Sequence, residues 1–212
     1  MTNNTTSNKL NRFTTLPFLI ELLKTSKLTL LSPNTWEDRN DKDILMDYKD
    51  KKERAGILAL CFTDQRETIH HWKAFSNGES GCCIEFDKQK LLDVISKDNK
   101  IIHNKVNYHL IKKSQTVKTD NIPFTKRIQY ECENEYRLIM LADEDISYYQ
   151  IDIQLDSITK INLSPNLPTS TFKVIKELLT ILIDGQNIMI EPSTLFENQE
   201  WISGFKKRSM AL

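Results

Sequence analysis

The chain has 212 residues, of which 39% are apolar and 27% are charged. This length fits one domain, and this apolar fraction is enough to bury a hydrophobic core, which excludes a disordered tail or a fibre. The 29 basic and 29 acidic side chains give a formal net charge of zero. A neutral chain is not typical of proteins whose main work is to bind bulk nucleic acid or an anionic membrane.

The ends of the chain and its apolar runs indicate a cytoplasmic protein. The first residues carry no basic segment followed by an apolar stretch, so no signal peptide is predicted. The longest apolar runs, residues 57–62 and 178–183, are far shorter than the ~20 residues that a membrane helix needs. We expect a loose N-terminal tail over residues 1–11 and a single domain over residues 12–212. Four cysteines without a C-x-x-C pair predict reduced thiols and no structural disulfide.

Apolar periodicity and turn signals divide the chain into short elements. In chain order, the sequence predicts a helix at 18–23, a strand at 28–31, a solvated helix or mobile loop at 37–54, a strand at 57–62, a helix at 67–75, a strand at 81–86, a helix at 88–96, strands at 101–108, 133–141, 148–153 and 157–163, a helix at 172–183 and a strand at 188–190. The strands and helices do not alternate regularly. This pattern predicts an α+β fold of mixed or antiparallel sheets with flanking helices.

Two carboxylates and a guanidinium follow one another at every second residue, as Glu133, Glu135 and Arg137. On a strand these side chains share one face, about 7 Å apart. One interpretation is an ion-pair ladder on an exposed face. The other is an active-site strand, where a carboxylate acts as a base and the arginine holds a phosphate or carboxylate. The second is favoured because the opposite face already supplies apolar side chains to the core: Tyr136, Leu138 and Met140.

A second candidate lies at the N-terminus of the first predicted helix, where Arg12 precedes Thr14 and Thr15. An arginine and two hydroxyls at a helix entry could bind an anion, because unpaired backbone N–H groups gather there. The alternative is an ordinary helix cap beside a surface arginine.

Trp36 lies in a polar turn that begins at Ser32. An exposed aromatic side chain can stack on the ring of a ligand, although a tryptophan in such a turn can equally cover the edge of a core. Trp72 shares a helix face with Phe75, and this spacing is typical of core residues.

No metal site is predicted from the histidines. His70 and His71 are adjacent, so on a helix they point about 100° apart and cannot ligate one ion as an i, i+4 pair would. A magnesium-dependent hydrolase built on the paired carboxylates is an alternative, but it would also need Asp38 or Asp87 as a ligand.

Residues 97–118 form a basic patch with six lysines, two histidines and one aspartate. Such a patch can be a solvated face or a docking surface for RNA, DNA, a phosphorylated metabolite or a partner protein. The sequence contains no glycine-rich phosphate-binding motif and no G-x-S-x-G or H-E-x-x-H motif.

An ordered series of motifs covering most of the chain resembles the bacterial family catalogued as domain of unknown function 2971. The series comprises Arg12-Phe-Thr-Thr, Leu28-Thr-Leu-Leu-Ser-Pro-Asn-Thr-Trp36, Cys61-Phe-Thr63, Trp72-x-x-Phe75, Gly81-x-Cys-Ile-Glu-Phe-Asp87, Val106-x-Tyr108 and Lys126-x-x-x-Tyr130-x-x-Glu133-x-Glu135-Tyr136-Arg137. The layout is similar to that of ADP-ribosyltransferases, with a basic residue and a hydroxyl on an early strand and a Glu-x-Glu on a late one.

This resemblance implies an ADP-ribosyltransferase-like fold and a nucleotide-handling toxin or phage-defence effector that uses NAD. By analogy, Arg12 would hold the NAD pyrophosphate, Glu135 would stabilise the ribose in the transition state, and Glu133 would activate the acceptor. The remaining implied cofactor-binding residues are Thr14, Ser32, Trp36 and Arg137. A non-catalytic sensor or binding module for a nucleotide, a nucleic acid or a partner protein is the alternative function.

Overall fold

A computed structural model of the chain describes residues 8–76 and 78–208, without the side chains of residues 206–208. Its strands are β1 (Lys9–Thr15), β2 (Lys27–Leu31), β3 (Gly56–Thr63), β4 (Gly81–Asp87), β5 (Ile101–Lys105), β6 (Asn107–His109), β7 (Thr125–Arg127), β8 (Glu135–Ala142), β9 (Tyr148–Asp152), β10 (Ile158–Leu163) and β11 (Met189–Pro192). Its α-helices are α1 (Leu16–Thr25), α2 (Arg39–Lys51), α3 (Ile69–Phe75), α4 (Lys88–Ile95), α5 (Thr169–Leu182) and α6 (Gln199–Arg208). The predicted α+β fold class is confirmed.

The main sheet has the strand order β11-β10-β4-β1-β3-β2-β9, and β8 pairs with both β3 and β5. One edge of β3 pairs with β8 along its whole length, from Gly56↔Ala142 to Thr63↔Glu135. The other edge is shared, because β1 meets it at Asn11↔Thr63 and β2 meets it at Leu31↔Ala59. A notch therefore opens between β1 and β2 against the middle of β3. The sheet is mixed, since β10 and β11 run parallel while the other pairs in this sheet are antiparallel.

Apolar side chains at alternate strand positions point to opposite faces of the sheet, and each face is covered by a hydrophobic core. The main core includes Leu138 of β8 together with apolar residues of α1, α4 and α5. A smaller second core lies on the opposite face, where α2 packs against β3 and β8. Its buried members are Leu45, Tyr48, Ile57, Ala59, Phe124 and Ile139. The charged segment 37–54 is thus a helix, as one of its two interpretations predicted, because Leu45 and Tyr48 anchor it to the sheet.

Two predicted strands have different bounds in the structure. The strand predicted from residue 133 begins at Glu135, since residues 128–133 form a 3₁₀ helix and Asn134 has a left-handed backbone with φ 44°. The strand predicted over 101–108 splits into β5 and β6 at Val106, which is buried and donates its N–H to the carbonyl of Glu135.

The N-terminal predictions also need correction. Lys9–Asn11 belong to β1 and not to a loose tail, because Leu10 is fully buried in the main core. Residues 1–7 of that predicted tail lie outside the described residues. Arg12 and Thr14 accordingly lie on a strand and not at a helix entry, and Thr15, which precedes α1, makes no side-chain capping bond. The single domain over residues 12–212 stays a prediction.

All four cysteines are free thiols, as predicted. Within residues 8–76 and 78–208, no helix combines the length and apolar content that crossing a membrane would require. The cytoplasmic location stays a prediction.

Candidate functional site

Five charged side chains meet where β8 and α2 approach each other, and we call them the charge cluster: Asp41, Lys126, Glu133, Glu135 and Arg137. Each is at most 9% exposed. Three acids and two bases give a net charge of −1 when all are ionised. Charges removed from water in this way are tolerated only when they are paired and hydrogen-bonded.

Arg137 is fully buried at the centre of this cluster. Its Nε and Nη2 donate to the two carboxylate oxygens of Glu135 at 2.7 and 2.9 Å, and its Nη1 and Nη2 donate to those of Asp41 at 3.0 and 2.6 Å. Nη1 also donates to the carbonyl of Pro123. These bonds would have to break before Arg137 could take up its predicted contact with a cofactor phosphate.

Trp36 contacts the same guanidinium, with 5.4 Å between the Arg137 Cζ and the centre of the ring. The indole is half-buried and packs against the second core. This arrangement matches the alternative interpretation of Trp36 as a residue that covers the edge of a core. To stack on a ligand ring as predicted, Trp36 would have to present a part of the indole other than the part that faces Arg137.

Glu135 is held in its ionised form. Burial alone would raise its pKa, but the charge and hydrogen bonds of Arg137, together with Lys126, lower the pKa of Glu135 to about 2. Both oxygens of Glu135 are therefore engaged by protein groups, and its backbone N–H donates to the Tyr108 hydroxyl at 2.8 Å.

Glu133 is the carboxylate of the cluster with a less occupied side. Its Oε2 accepts a hydrogen bond from Lys126 Nζ at 2.6 Å. His70 Nε2 lies 3.9 Å from its Oε1, and the His70 side chain is 47% exposed. Burial raises the pKa of Glu133, although Lys126 acts in the opposite direction. A carboxylate with a raised pKa next to an exposed histidine is able to accept a proton.

Glu133 lies just before the start of β8, two residues before Glu135, and its backbone carbonyl contacts neighbouring side chains. The left-handed Asn134 separates the two residues, and the Glu133 carbonyl accepts a hydrogen bond from Thr63 Oγ1 at 2.7 Å. The His71 Nε2 lies 3.2 Å from the same carbonyl. His71 is stacked on Phe13 of β1, with 5.1 Å between ring centres. Glu133 is thus connected to β1 through one intervening ring.

Arg12 lies in the notch between β1 and β2, which we call the Arg12 notch. Its lining residues are Arg12, Thr14, Phe18, Glu21, Leu22, Lys27, Leu28, Thr29 and Ile84. Burial lowers the pKa of Arg12 to about 10. Among the described residues no hydrogen bond or ion pair engages its guanidinium, and the Nη1 atom is buried without a partner. The cavity is narrow, with room for about one water molecule.

The structure does not bring all the predicted site residues into one cavity. Arg12 and Thr14 share the notch, while Glu133, Glu135 and Arg137 belong to the charge cluster, which Trp36 contacts at Arg137. Ser32 lines neither of them, since its hydroxyl accepts from the backbone N–H of Asn34 and caps a 3₁₀ turn.

One strand separates the Arg12 notch from the charge cluster. Cys61 of β3 lies opposite Arg137 in the sheet register and between the two points where β1 and β2 meet β3. Burial raises the pKa of this thiol. Strands in a sheet lie about 4.8 Å apart, so β1 and β8 are separated by about 10 Å.

Sequence reasoning did not single out two members of the cluster. Lys126 stood in the quoted motif without an assigned role, and Asp41 lay among thirteen charged residues of segment 37–54 with nothing to distinguish it. Asp38 and Asp87, the additional ligands required by the magnesium alternative, instead cap α2 and α4. Within the described part of the chain, no group of three or more His, Cys, Asp or Glu side chains is arranged to hold a metal ion.

Comparisons with known proteins found a match to one family model and similarity to a group of solved structures. Residues 71–138 match the model of the family described as "Protein of unknown function (DUF2971)". No curated protein matches the chain. The chain is similar in structure to DarT from Thermus sp. 2.9 in complex with ADP-ribosylated ssDNA, with a TM-score of 0.46 and 9% identity over 88% of this chain and 94% of that one.

Two further structures of the same DarT are similar at a comparable level. The complex with NAD+ has a TM-score of 0.43 and 9% identity, over 87% of this chain and 95% of that one. The complex with carba-NAD+ has a TM-score of 0.43 and 8% identity, over 88% and 96%. The match to the family model confirms the predicted family resemblance over residues 71–138.

Proposed function

We propose that this protein binds NAD through Arg12 and transfers its ADP-ribose to an acceptor, as an ADP-ribosyltransferase-like toxin or phage-defence effector. The observation that carries the proposal is the unpartnered guanidinium of Arg12 in the notch between β1 and β2. The motif order that resembles ADP-ribosyltransferases supports it, because the basic residue and the hydroxyl of that layout correspond to Arg12 and Thr14 of β1.

Arg12 fits the pyrophosphate of a dinucleotide for electrostatic reasons. A guanidinium nitrogen that is buried without a hydrogen-bond partner, as Nη1 of Arg12 is among the described residues, is unfavourable in the free protein, and an anion placed against it would remove this penalty. A planar guanidinium also donates two parallel hydrogen bonds to a phosphate. Phe18 is 44% exposed at the notch, and we expect its side chain to move outward when a ligand enters the narrow cavity.

Glu133 is the residue that we assign as the base. When bound, NAD supplies a glycosidic bond whose electron pair leaves with nicotinamide, while the ribose carbon bonds to an oxygen or nitrogen atom of the acceptor. Glu133 accepts the proton that the acceptor loses, and its raised pKa favours this transfer. Glu135, although implied by the resemblance as the group facing the ribose, is bound at both oxygens by Arg137. We therefore propose that it positions the strand beside Glu133.

Short series of contacts connect the two parts of the proposed site. Phe13, the residue after Arg12, stacks on His71, and His71 contacts the carbonyl of Glu133. Asn11, the residue before Arg12, pairs with Thr63, whose hydroxyl donates to that same carbonyl. The neighbours of Arg12 on both sides thus lead to Glu133 within two contacts.

The test measures binding and turnover separately. NAD at about 1 mM should raise the melting temperature of the wild-type protein. Arg12→Ala should abolish this shift, whereas Arg39→Ala, an exposed arginine at the start of α2, should keep it. Nicotinamide release, followed by chromatography, should occur with the wild type and be lost in Glu133→Gln. An NAD-independent melting temperature in the wild type would overturn the proposal.

A non-catalytic binding module is the second candidate, and the internal pairing within the charge cluster favours it. Asp41 and Glu135 are satisfied by Arg137 in the absence of any ligand, as expected for a structural ion network. In that case NAD or a related nucleotide would bind at Arg12 without nicotinamide release. The lysines of the patch at residues 97–118 are exposed, so they are also available for contacts with a nucleic acid or protein partner.

A further inference from the structure

A second basic site lies on the same face of the sheet as the charge cluster, at the far end of β8 from Glu135. Six residues line an open pocket of about 470 Å³, counting the space open to solvent, and we call it the basic pocket: Tyr48, Lys52, Arg54, Lys100, Ile102 and Leu141. Glu135 and Leu141 are six residues apart on one strand, which corresponds to about 20 Å. The basic pocket is therefore separate from both the Arg12 notch and the charge cluster.

From the residues that line it, we propose that the basic pocket binds the phosphate of a nucleotide, either free or within a nucleic acid strand. Of the described residues that line it, Lys52, Arg54 and Lys100 are cations and none is a carboxylate. Three cations around one open space can neutralise a phosphate dianion, and guanidinium and ammonium donors suit its oxygens. This inference does not depend on the proposed function.

The existing partners of these cations do not prevent binding. Lys52 pairs with Asp120 at 2.6 Å and Arg54 pairs with Asp143, but both aspartate side chains are more than 80% exposed. Exposed ion pairs contribute little to stability, so a dianion in the pocket can displace them. Lys100 lies over the Tyr149 ring at 5.7 Å, where its ammonium group remains accessible.

The apolar part of the lining indicates that the ligand carries more than a phosphate. Ile102 is a large apolar side chain that is 41% exposed, and Leu141 lies beside it on the next strand. A flat base or the carbon face of a sugar would cover these side chains while the phosphate contacts the cations. Lys100 of the basic pocket is also one of the six lysines of the patch at residues 97–118.

Titration followed by NMR tests the location of binding. Inorganic pyrophosphate, ADP and a fifteen-residue thymidine oligonucleotide are the three probes, added to the full-length protein. We expect the methyl resonances of Ile102 and Leu141 to shift with ADP or with the oligonucleotide. A response to ADP identifies a free nucleotide as a sufficient source of the phosphate, and a response to the oligonucleotide alone identifies a nucleic acid strand. Unchanged methyl resonances with all three probes would overturn the proposal.

A charge-removal variant tests the assigned residues. Lys52→Ala, Arg54→Ala and Lys100→Ala combined should raise the dissociation constant of the responding probe by at least about tenfold. The matched control combines Lys24→Ala, Lys73→Ala and Lys173→Ala, which removes three exposed lysines outside both the basic pocket and the patch at 97–118 and should change it by less than about twofold. Circular dichroism checks that both triple variants fold. Equal losses in the two variants would show non-specific attraction and refute the pocket.

The failure of this proposal can be distinguished from failure of the proposed function. Arg12→Ala should leave probe binding at the basic pocket intact, and the Lys52, Arg54 and Lys100 variant should leave the NAD-dependent melting shift intact. Loss of the methyl shifts in Arg12→Ala alone would assign the probe to the Arg12 notch and overturn the inference drawn here.

Discussion

Arg137 and Glu135 lie two residues apart on β8 and are joined by two parallel hydrogen bonds, from Nε to Oε1 and from Nη2 to Oε2. Positions two residues apart share one face of a strand, so the pair is local in sequence. The second carboxylate on the guanidinium, that of Asp41, comes from α2 and lies 96 residues away in the chain. This arrangement ties α2 to the sheet and determines which acids are available for chemistry.

Arg137→Met is expected to destabilise the fold by about 3–5 kcal/mol, because it leaves Asp41 and Glu135 buried without their main partner. Urea denaturation measures the change in the free energy of unfolding. Arg39→Met, at an exposed position, should change it by less than about 0.5 kcal/mol. A loss below about 1 kcal/mol in Arg137→Met would contradict the importance of the charge cluster for stability.

Arg12→Met is expected to behave in the opposite way. The Arg12 guanidinium has no hydrogen-bond or ion-pair partner among the described residues, so a thioether of similar length should leave the free energy of unfolding unchanged or raise it. The same substitution should abolish the melting shift with NAD. Strong destabilisation of Arg12→Met would mean that Arg12 supports the fold instead of a ligand.

Glu133→Gln is expected to lower the rate of nicotinamide release by about 10²–10⁴-fold while NAD binding persists, since an amide cannot accept the proton of the acceptor. Isothermal calorimetry gives the binding and a single-turnover assay gives the rate. Glu131→Gln, an exposed acid two residues earlier, is the control and should keep full activity. Retained turnover in Glu133→Gln would rule out its role as the base.

The pH dependence of stability should carry the signature of Glu135. Its pKa in the folded protein is about 2, below the ordinary value of 4.5, so ionised Glu135 stabilises the fold above pH 4.5. This contribution should be lost as the pH falls from 4.5 towards 2. Free energies of unfolding across this range should fall less steeply with decreasing pH in Glu135→Gln than in the wild type. Parallel curves for the two proteins would be inconsistent with the buried ion pair.

Asn134→Gly and Asn134→Ala should separate backbone strain from side-chain effects. The residue has φ 44°, a conformation that glycine adopts without steric conflict and in which a Cβ atom costs about 1–2 kcal/mol of stability. We expect near wild-type stability for Asn134→Gly and a loss of about 1 kcal/mol for Asn134→Ala, which lacks the local hydrogen bonding of asparagine. Thermal unfolding measures both, and equal stabilities would show that the left-handed turn is not required.

Local patterns in the sequence were sufficient for most of the elements. The strand at residues 57–62 and the helix at 88–96 follow from apolar runs and an aspartate cap, and such signals act over a few residues. The alternation along β8 also predicted correctly that Leu138 and Met140 enter the main core. By contrast, the strand start at Glu135 depends on a left-handed Asn134, which the strand pattern did not reveal.

What the sequence determined by itself was the inventory of charged groups on β1 and β8 and their spacing along each strand. Whether those groups face a ligand or one another was decided only by the tertiary structure. Asp41 on α2 closes one side of Arg137, while Arg12 on β1 shares its notch with Glu21 but has no hydrogen-bond or ion-pair partner among the described residues. The physical reason is that the pairing of a buried charge depends on what packs against it in space, and in this fold those partners come from distant parts of the chain.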